Sequence, residues 1–242
     1  MDSLNKRGSH VGVMISFSIF VIFLVSTFMM ISPALEENEN KNSLLNLLQQ
    51  EILKNISSNM TLTLLTVEDT YSSEGKTCLN FSEGGWKSGE DAVVLNGTDT
   101  RINSTFVDSV LSVNWIEENN FLKVYSSPEN FVEKNLDSTD CAVPSEGSNF
   151  YIKSIKTQEY IFESKIVQLA QEYLSSYDEM KEYFGIPSEK EFGFSFTNSQ
   201  GITYIDVGNE PLGTSVYSMN APIIYLTNQS SFASGVIKLK VW

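Results

Sequence analysis

VGVMISFSIFVIFLVSTFMMI, Val11 to Ile31, is 21 residues without a charge. As a helix rising 1.5 Å per residue it spans about 31 Å, the thickness of a bilayer's hydrocarbon core. A core helix of a globular domain carries a polar face, whereas the polar interruptions here (Ser16, Ser18, Ser26, Thr27) are small hydroxyls able to bond back to their own helix. A cleavable secretory signal has an apolar region of about 7 to 15 residues closed by a small-x-small site. This stretch is longer and ends Ile31-Ser32-Pro33-Ala34-Leu35, which points to a retained anchor in the lipid bilayer. Lys6 and Arg7 precede it while Glu36, Glu37 and Glu39 follow. The positive-inside bias then predicts a cytoplasmic N-terminus, with the C-terminal body extracellular on the cell membrane.

With 242 residues the chain has room for one domain of about 200 residues plus this appendage. Its 16 Lys+Arg stand against 30 Asp+Glu, a formal net charge of -14, and no basic cluster lies outside the extreme N-terminus. Such a body repels phosphate backbones, and nucleic acid is excluded as a partner. The one histidine, His10, precedes the apolar span, so the exterior has no imidazole. That removes Ser-His-Asp and Cys-His nucleophiles and the usual zinc and non-haem iron sites. Carboxylates could run glycoside hydrolysis, but only as two acids facing across a cleft. Calcium ligands drawn from Asp91 and Asp99 match no known loop spacing. A P-loop, GxGxxG, an EF-hand loop and the aspartic-protease Asp-Thr/Ser-Gly are absent, so no cofactor or metal is expected and the reading is not an enzyme.

Past the acidic stretch, Leu44, Leu45, Leu48, Ile52, Leu53 and Ile56 recur at spacings of three and four, predicting an amphipathic helix of roughly four turns. Leu62 to Val67 reads as a strand, followed by short β-rich runs at Ala92 to Leu95, Phe106 to Val113 and Phe121 to Tyr125 among turn residues: a small sheet with long loops. A second helix is predicted from an N-cap at Thr157, with Glu159 in its first turn, along the stripe Phe162, Ile166, Leu169, Tyr173, Tyr177, Met180 and Phe184 to a stop at Gly185. Phe192 to Thr197 and Ile202 to Val207 predict a hairpin around Asn198-Ser199-Gln200-Gly201, with further strands at Ala221 to Leu226 and Val236 to Val241. The expected class is α+β: an N-terminal transmembrane helix, then an extracellular domain of antiparallel sheet and two amphipathic helices.

Cys78 and Cys141 are the only cysteines, both on the oxidising side, and a disulfide is expected over two free buried thiols. It would close 64 residues, for which the chain-entropy account gives about 4 kcal/mol. Six Asn-x-Ser/Thr sequons, at Asn55, Asn59, Asn80, Asn96, Asn103 and Asn228, all fall on the exterior side, where glycosylation can occur. Composition alone predicts about four such sequons, so their placement says more than their number.

Lys6-Arg7-Gly8-Ser9 before an uncharged span of this length resembles the class III signal peptide of archaeal type IV pilin-like proteins. The resemblance implies a prepilin-peptidase-like enzyme cutting between Gly8 and Ser9, and a mature helix that packs against identical or related pilin-like subunits. Ser176 to Lys181, Gly185-Ile186-Pro187, Phe192-Gly193-Phe194 and Leu239 to Trp242 are similar to the ectodomains that follow such anchors. Two features depart from the pattern: Val13 stands where many pilins carry Glu, and Pro33 is expected to interrupt the helix. The chain thus divides into a basic leader (residues 1–8), a transmembrane helix (9–33) and an extracellular α+β domain (34–242). The functional expectation is a non-enzymatic cell-surface subunit or minor component of a pilus-like filament system. The alternatives are a tethered binding module, as adhesin or sensor, and more remotely an extracellular carboxylate-dependent hydrolase. Protease added to intact cells should digest the chain after about Pro33; full protection of the C-terminal domain refutes this orientation.

Overall fold

A computed structural model describes residues 8–68, 75–115, 120–132, 136, 140–208 and 215–242, with side chains outside 8–10 and 31–41. One helix, α1 (Gly8–Asn55), runs for 48 residues, a length of about 72 Å. Its first part, Val11–Met30, has a mean hydropathy of 2.4 and is 0% buried, long and apolar enough to cross a membrane. The hydroxyls of Ser18 and Thr27 donate to the carbonyls of Met14 and Phe23 one turn back, which removes their polarity from the surface. Its last turns bury Leu45, Leu48 and Ile52, with Ile56 just beyond.

The expected interruption at Pro33 does not occur, because the helix continues through it. A proline removes one backbone donor and costs about 3 kcal/mol inside a helix. Here the helical segments on both sides are long, each adding a bond per residue fixed, so one missing bond does not end the element.

The strands are β1 (Ser57–Val67), β2 (Cys78–Phe81), β3 (Asp91–Asn96), β4 (Arg101–Ile102), β5 (Ser104–Val107), β6 (Val110–Asn114), β7 (Phe121–Ser127), β8 (Phe150–Phe162), β9 (Phe192–Asn198), β10 (Thr203–Val207), β11 (Tyr217–Leu226) and β12 (Phe232–Val241). Among the described residues they form a nine-stranded sheet in the order β10-β9-β12-β11-β8-β1-β7-β3-β4 and a three-stranded sheet β2-β6-β5. Among these strands pairing is antiparallel except where β11 meets the end of β8, at Tyr225 beside Ile161 and Leu226 beside Phe162. Two isolated bridges, Leu79 with Ala142 and Glu146 with Phe150, are also parallel. Helices α2 (Glu163–Ser175) and α3 (Tyr177–Tyr183) lie between β8 and β9. The α+β class is as the sequence implied, but the sheet is not the small one expected: the distant pairings of β1 with β8 and β8 with β11 join the strands into one sheet of nine.

Two local expectations are corrected. Thr157 and Glu159 do not begin a helix; they lie in β8, opposite Thr61 and Asn59 of β1. A ladder from Ser57–Ile161 to Val67–Phe150 gives this segment a backbone partner along its length, and that pairing overrides the local N-cap signal. The helix starts only at Glu163 and breaks at Ser176 (φ -142°, ψ 45°) before α3 continues the same apolar stripe. Phe106 to Val113 is likewise a hairpin, turning at Asp108 (φ 49°) and Ser109 (φ 69°). Two successive left-handed residues make the tight turn that matches strand twist, and the alternation on either side of it reads as one run. The stop at Gly185 is as expected: φ is 66°, with Gly185 N–H bonded to Glu182 O and Ile186 N–H to Lys181 O.

Three cores result. The first packs the end of α1 with Ile166, Leu169, Phe184, Phe194 and Leu239. The second lies at the far end of β1 and β8 between the two sheets, around Leu65, Phe81, Leu111, Val124 and Phe150. A small third cluster, Met60, Val93, Phe131, Phe162 and Leu226, bridges them on the other face. The disulfide Cys78–Cys141, with Cα atoms 4.5 Å apart, fastens the 140–142 segment to β2, where Asn80 N–H bonds Ala142 O and Ala142 N–H bonds Cys78 O. Replacing both cysteines by serine should lower unfolding free energy by about 4 kcal/mol in urea titrations, since 63 positions separate the bridged residues. An unchanged midpoint refutes that contribution.

Candidate functional site

Gly8 is the first residue of α1 and Ser9 the second, so the proposed processing bond lies at the start of the helix. The six sequons differ in access. Asn59 and Asn228 are exposed, whereas Asn55, Asn80, Asn96 and Asn103 are half-buried. Three of the latter have engaged side chains. The Asn55 amide donates to Glu51 O (2.8 Å), Asn80 Oδ1 accepts the Ser112 hydroxyl (2.7 Å), and Asn96 Oδ1 accepts the N–H groups of Thr98 and Thr100.

Two clusters of titratable groups stand out. In the first, α3 sits against the start of β9. Lys181, 8% exposed, donates to Ser188 O (2.9 Å) and to Glu191 Oε1 (2.8 Å). The Tyr177 hydroxyl donates to Glu191 Oε2 and accepts the Phe192 N–H. Glu191 in turn pairs its backbone with Trp242 in both directions. Lys181 Nζ, the Tyr177 hydroxyl and both Glu191 carboxylate oxygens each have a partner inside the fold, so the group works as a clasp on the last strand. Burial alone would raise the Glu191 carboxyl, but the bonds from Lys181 and Tyr177 and the Lys181 charge outweigh it and hold it below its ordinary value. Burial first, then the bond to Glu191, pushes the Tyr177 phenol well up.

The second cluster lines a cleft of about 540 Å³ between the β3–β4 turn, β7 and the β11–β12 turn. The β3–β4 turn is shaped by Asn96 and by Asp99 in left-handed conformation (φ 60°). It brings Asp99 Oδ1 to 2.5 Å from Lys123 Nζ, and that hydrogen bond raises the Lys123 pKa. Arg101 extends from β4 and donates through Nη2 to Val132 O. Its Nε is buried without a partner among the described residues. Burial lowers the Arg101 pKa, with the charge of Asp91 opposing. Asp91 itself is taken up by backbone, accepting the N–H groups of Ala92 and Phe131 at 2.7 Å each. Asp91 and Asp99, considered as calcium donors, are therefore a backbone anchor and an ion-pair partner. Ser230, which also lines the cleft, holds a left-handed conformation (φ 63°), and its hydroxyl is likewise buried without a partner among the described residues. Burial raises the Tyr125 phenol. A smaller hollow of about 330 Å³ lies between the end of α1 and α2–α3, lined by Asn55, Glu172, Glu179 and Tyr183 among others.

Sequence reasoning did not find the cleft. Its one available signal was Arg101, the single arginine of residues 34–242. Comparison with family models, with curated proteins and with solved structures returns no match to the chain, so the site rests on its own geometry.

The clasp has a pH signature. The lowered Glu191 pKa stabilises the fold above the ordinary carboxyl value of 4.5 and is lost as pH falls through the folded value. The raised Tyr177 pKa stabilises below the ordinary phenol value of 10.0 and is lost as pH rises towards the folded value. Urea midpoints should therefore show Tyr177→Phe less stable than the wild type at pH 8, with the gap narrowing by pH 11. A gap that widens with pH refutes the assignment.

Proposed function

We propose that this is a non-enzymatic, single-pass surface protein built on a pilin-like plan, a subunit or minor component of a type IV pilus-like filament system. The observation that supports it is the division of α1: one uninterrupted helix whose Val11–Met30 part is bare and apolar while Leu45, Leu48 and Ile52 are buried in an α+β head. A helix of this kind exchanges lipid for neighbouring helices without refolding. The basic pair Lys6 and Arg7 before the span and the glutamates after it favour a cytoplasmic start and an exterior head. In this reading a prepilin-peptidase-like enzyme cuts between Gly8 and Ser9. Removing Lys6 and Arg7 then frees the helix end from the anionic inner leaflet, worth roughly 1 kcal/mol per basic residue, and lowers the barrier to lifting the helix into a bundle. Packing there relies on close approach at small residues. Gly12, where an added Cβ would meet nothing within 4 Å, and Ser16 lie one turn apart on one face.

A second reading, a tethered binding module that never polymerises, is favoured by the cleft beside Arg101. The two separate at one bond. Mass spectrometry of the purified protein should find Ser9 as the mature N-terminus, and Gly8→Leu should abolish that cut, leaving a full-length membrane chain with a folded exterior domain. If Met1 persists in the wild type and Gly8→Leu changes neither mass nor surface display, the filament reading fails and the tethered module replaces it.

A further inference from the structure

The cleft between the β3–β4 turn, β7 and the β11–β12 turn has features that neither anchoring nor filament packing uses. Its volume, about 540 Å³, is in the range of small-molecule sites. Its walls alternate aromatic and polar groups. Phe131, Phe232 and Tyr125 supply ring surface, with Phe232 braced against Tyr160 (centroids 5.6 Å apart) and Phe131 against Phe162 (6.3 Å). Between them stand Arg101, Lys123 and Ser230.

The polar groups are incompletely matched. Lys123 has Asp99. Arg101 donates to the Val132 carbonyl through Nη2, and Asp91, whose charge acts on it, accepts one backbone N–H at each oxygen. Burial lowers the Arg101 pKa despite the opposing charge of Asp91. Arg101 and Ser230 both line the cleft, and each carries one buried hydrogen-bonding atom, Nε and Oγ, with no partner among the described residues. Native proteins leave few such groups, and each calls for an explanation. A left-handed backbone at a serine is a second departure at the same wall, of the kind that collects at binding sites.

We propose that this cleft binds a small organic monocarboxylate whose ring packs on Phe131, Tyr125 and Phe232 while its carboxylate accepts from Arg101 and Ser230. Charge selects the monoanion. Of the charged residues described along its walls, Arg101 and Lys123 stand against Asp99, so a monocarboxylate balances the one surplus positive charge and a phosphate dianion overshoots it. A cationic ligand would face Arg101 and Lys123. A purely apolar one would leave both unpaired groups buried. Two sources share the required chemistry: an aromatic acid, and a sugar acid that stacks its ring face on the aromatics and shares its hydroxyls with the Asp99–Lys123 pair.

Isothermal titration calorimetry of the full chain in detergent micelles separates these. Benzoate and glucuronate are the probes, with glucose and inorganic phosphate as comparators. Saturable binding of at least one carboxylate, at least tenfold tighter than glucose and phosphate, supports the site, and whichever acid binds identifies the source. Arg101→Gln should weaken that binding tenfold or more, and exposed Lys153→Gln on β8 should leave it unchanged. Because Arg101 also bonds Val132, Ser230→Gly is the companion variant. It relieves the left-handed backbone and should raise the melting temperature while weakening binding. The proposal is overturned if neither acid binds at millimolar concentration, if glucose or phosphate binds as well as the acids, or if Ser230→Gly binds like the wild type. Each result is independent of whether Gly8–Ser9 is cut.

Discussion

One helix has to satisfy two surroundings, and the rest of the molecule follows from how it does so. Val11–Met30 exposes side chains that water does not tolerate. Fourteen residues after Met30 the same helix enters a register in which Leu44, Leu45, Leu48, Ile52 and Leu53 face the head. Burying a leucine or isoleucine is worth roughly 1.5 to 3 kcal/mol, so four or five such positions fix the helix to β11 and β12 firmly enough to carry the domain. Between the two halves the sequence is acidic, from Glu36 through Asn42, and belongs to neither phase. The helix is continuous through this stretch.

From that docking point the chain enters β1, whose antiparallel pairing with β8 gives the head its frame. The same two strands contribute Ile161, near Ile56 at the entry to β1, to the core beside the helix and Leu65 and Phe150 to the core beneath the small sheet. Through the middle of β8, Lys153 to Glu159 are exposed, and among the described residues β11 pairs with β8 only at Ile161 and Phe162. An edge left open there invites pairing with other chains; Lys153 and Lys156 blunt it in the way natural edges are commonly blunted. The far core gains the disulfide because its connections are the long ones, and a crosslink acts most on the freedom of long loops.

The elements that were legible were those whose signal is local. The apolar span, the stripe from Leu44 to Ile56, the Gly185 stop and the β9–β10 hairpin, with Asn198 Oδ1 accepting from Gln200 and Ile202 and Gly201 at φ 79°, all carry their cause within a few residues. Residues 157–162 were misread because their partner, Ser57–Val67, lies about a hundred positions away and no local pattern records it. Phe106 to Val113 was misread for a different reason: neither Asp108 nor Ser109 is glycine, so the turn did not announce itself. The cleft was illegible on both counts. Arg101, Lys123 and Ser230 come from three distant stretches, and none sits in a motif.

The clasp and the cleft use the same chemistry, a lysine and a carboxylate beside a tyrosine, and they differ in how completely it is satisfied. Around Lys181 and Glu191 each polar atom has a partner and the result is rigid packing of the last strand. Around Arg101 the fold had equal means to finish the job. A glycine at position 230 would have removed both the left-handed serine and its unpaired hydroxyl, and a lysine or leucine at 101 would have removed the unpaired Nε. Those substitutions are single steps, and each relieves a cost of about 1 kcal/mol or more. Stability alone selects for them. That the chain spends the one arginine of residues 34–242 and a strained serine on the lining of one cavity fits a surface shaped for something other than its own folding.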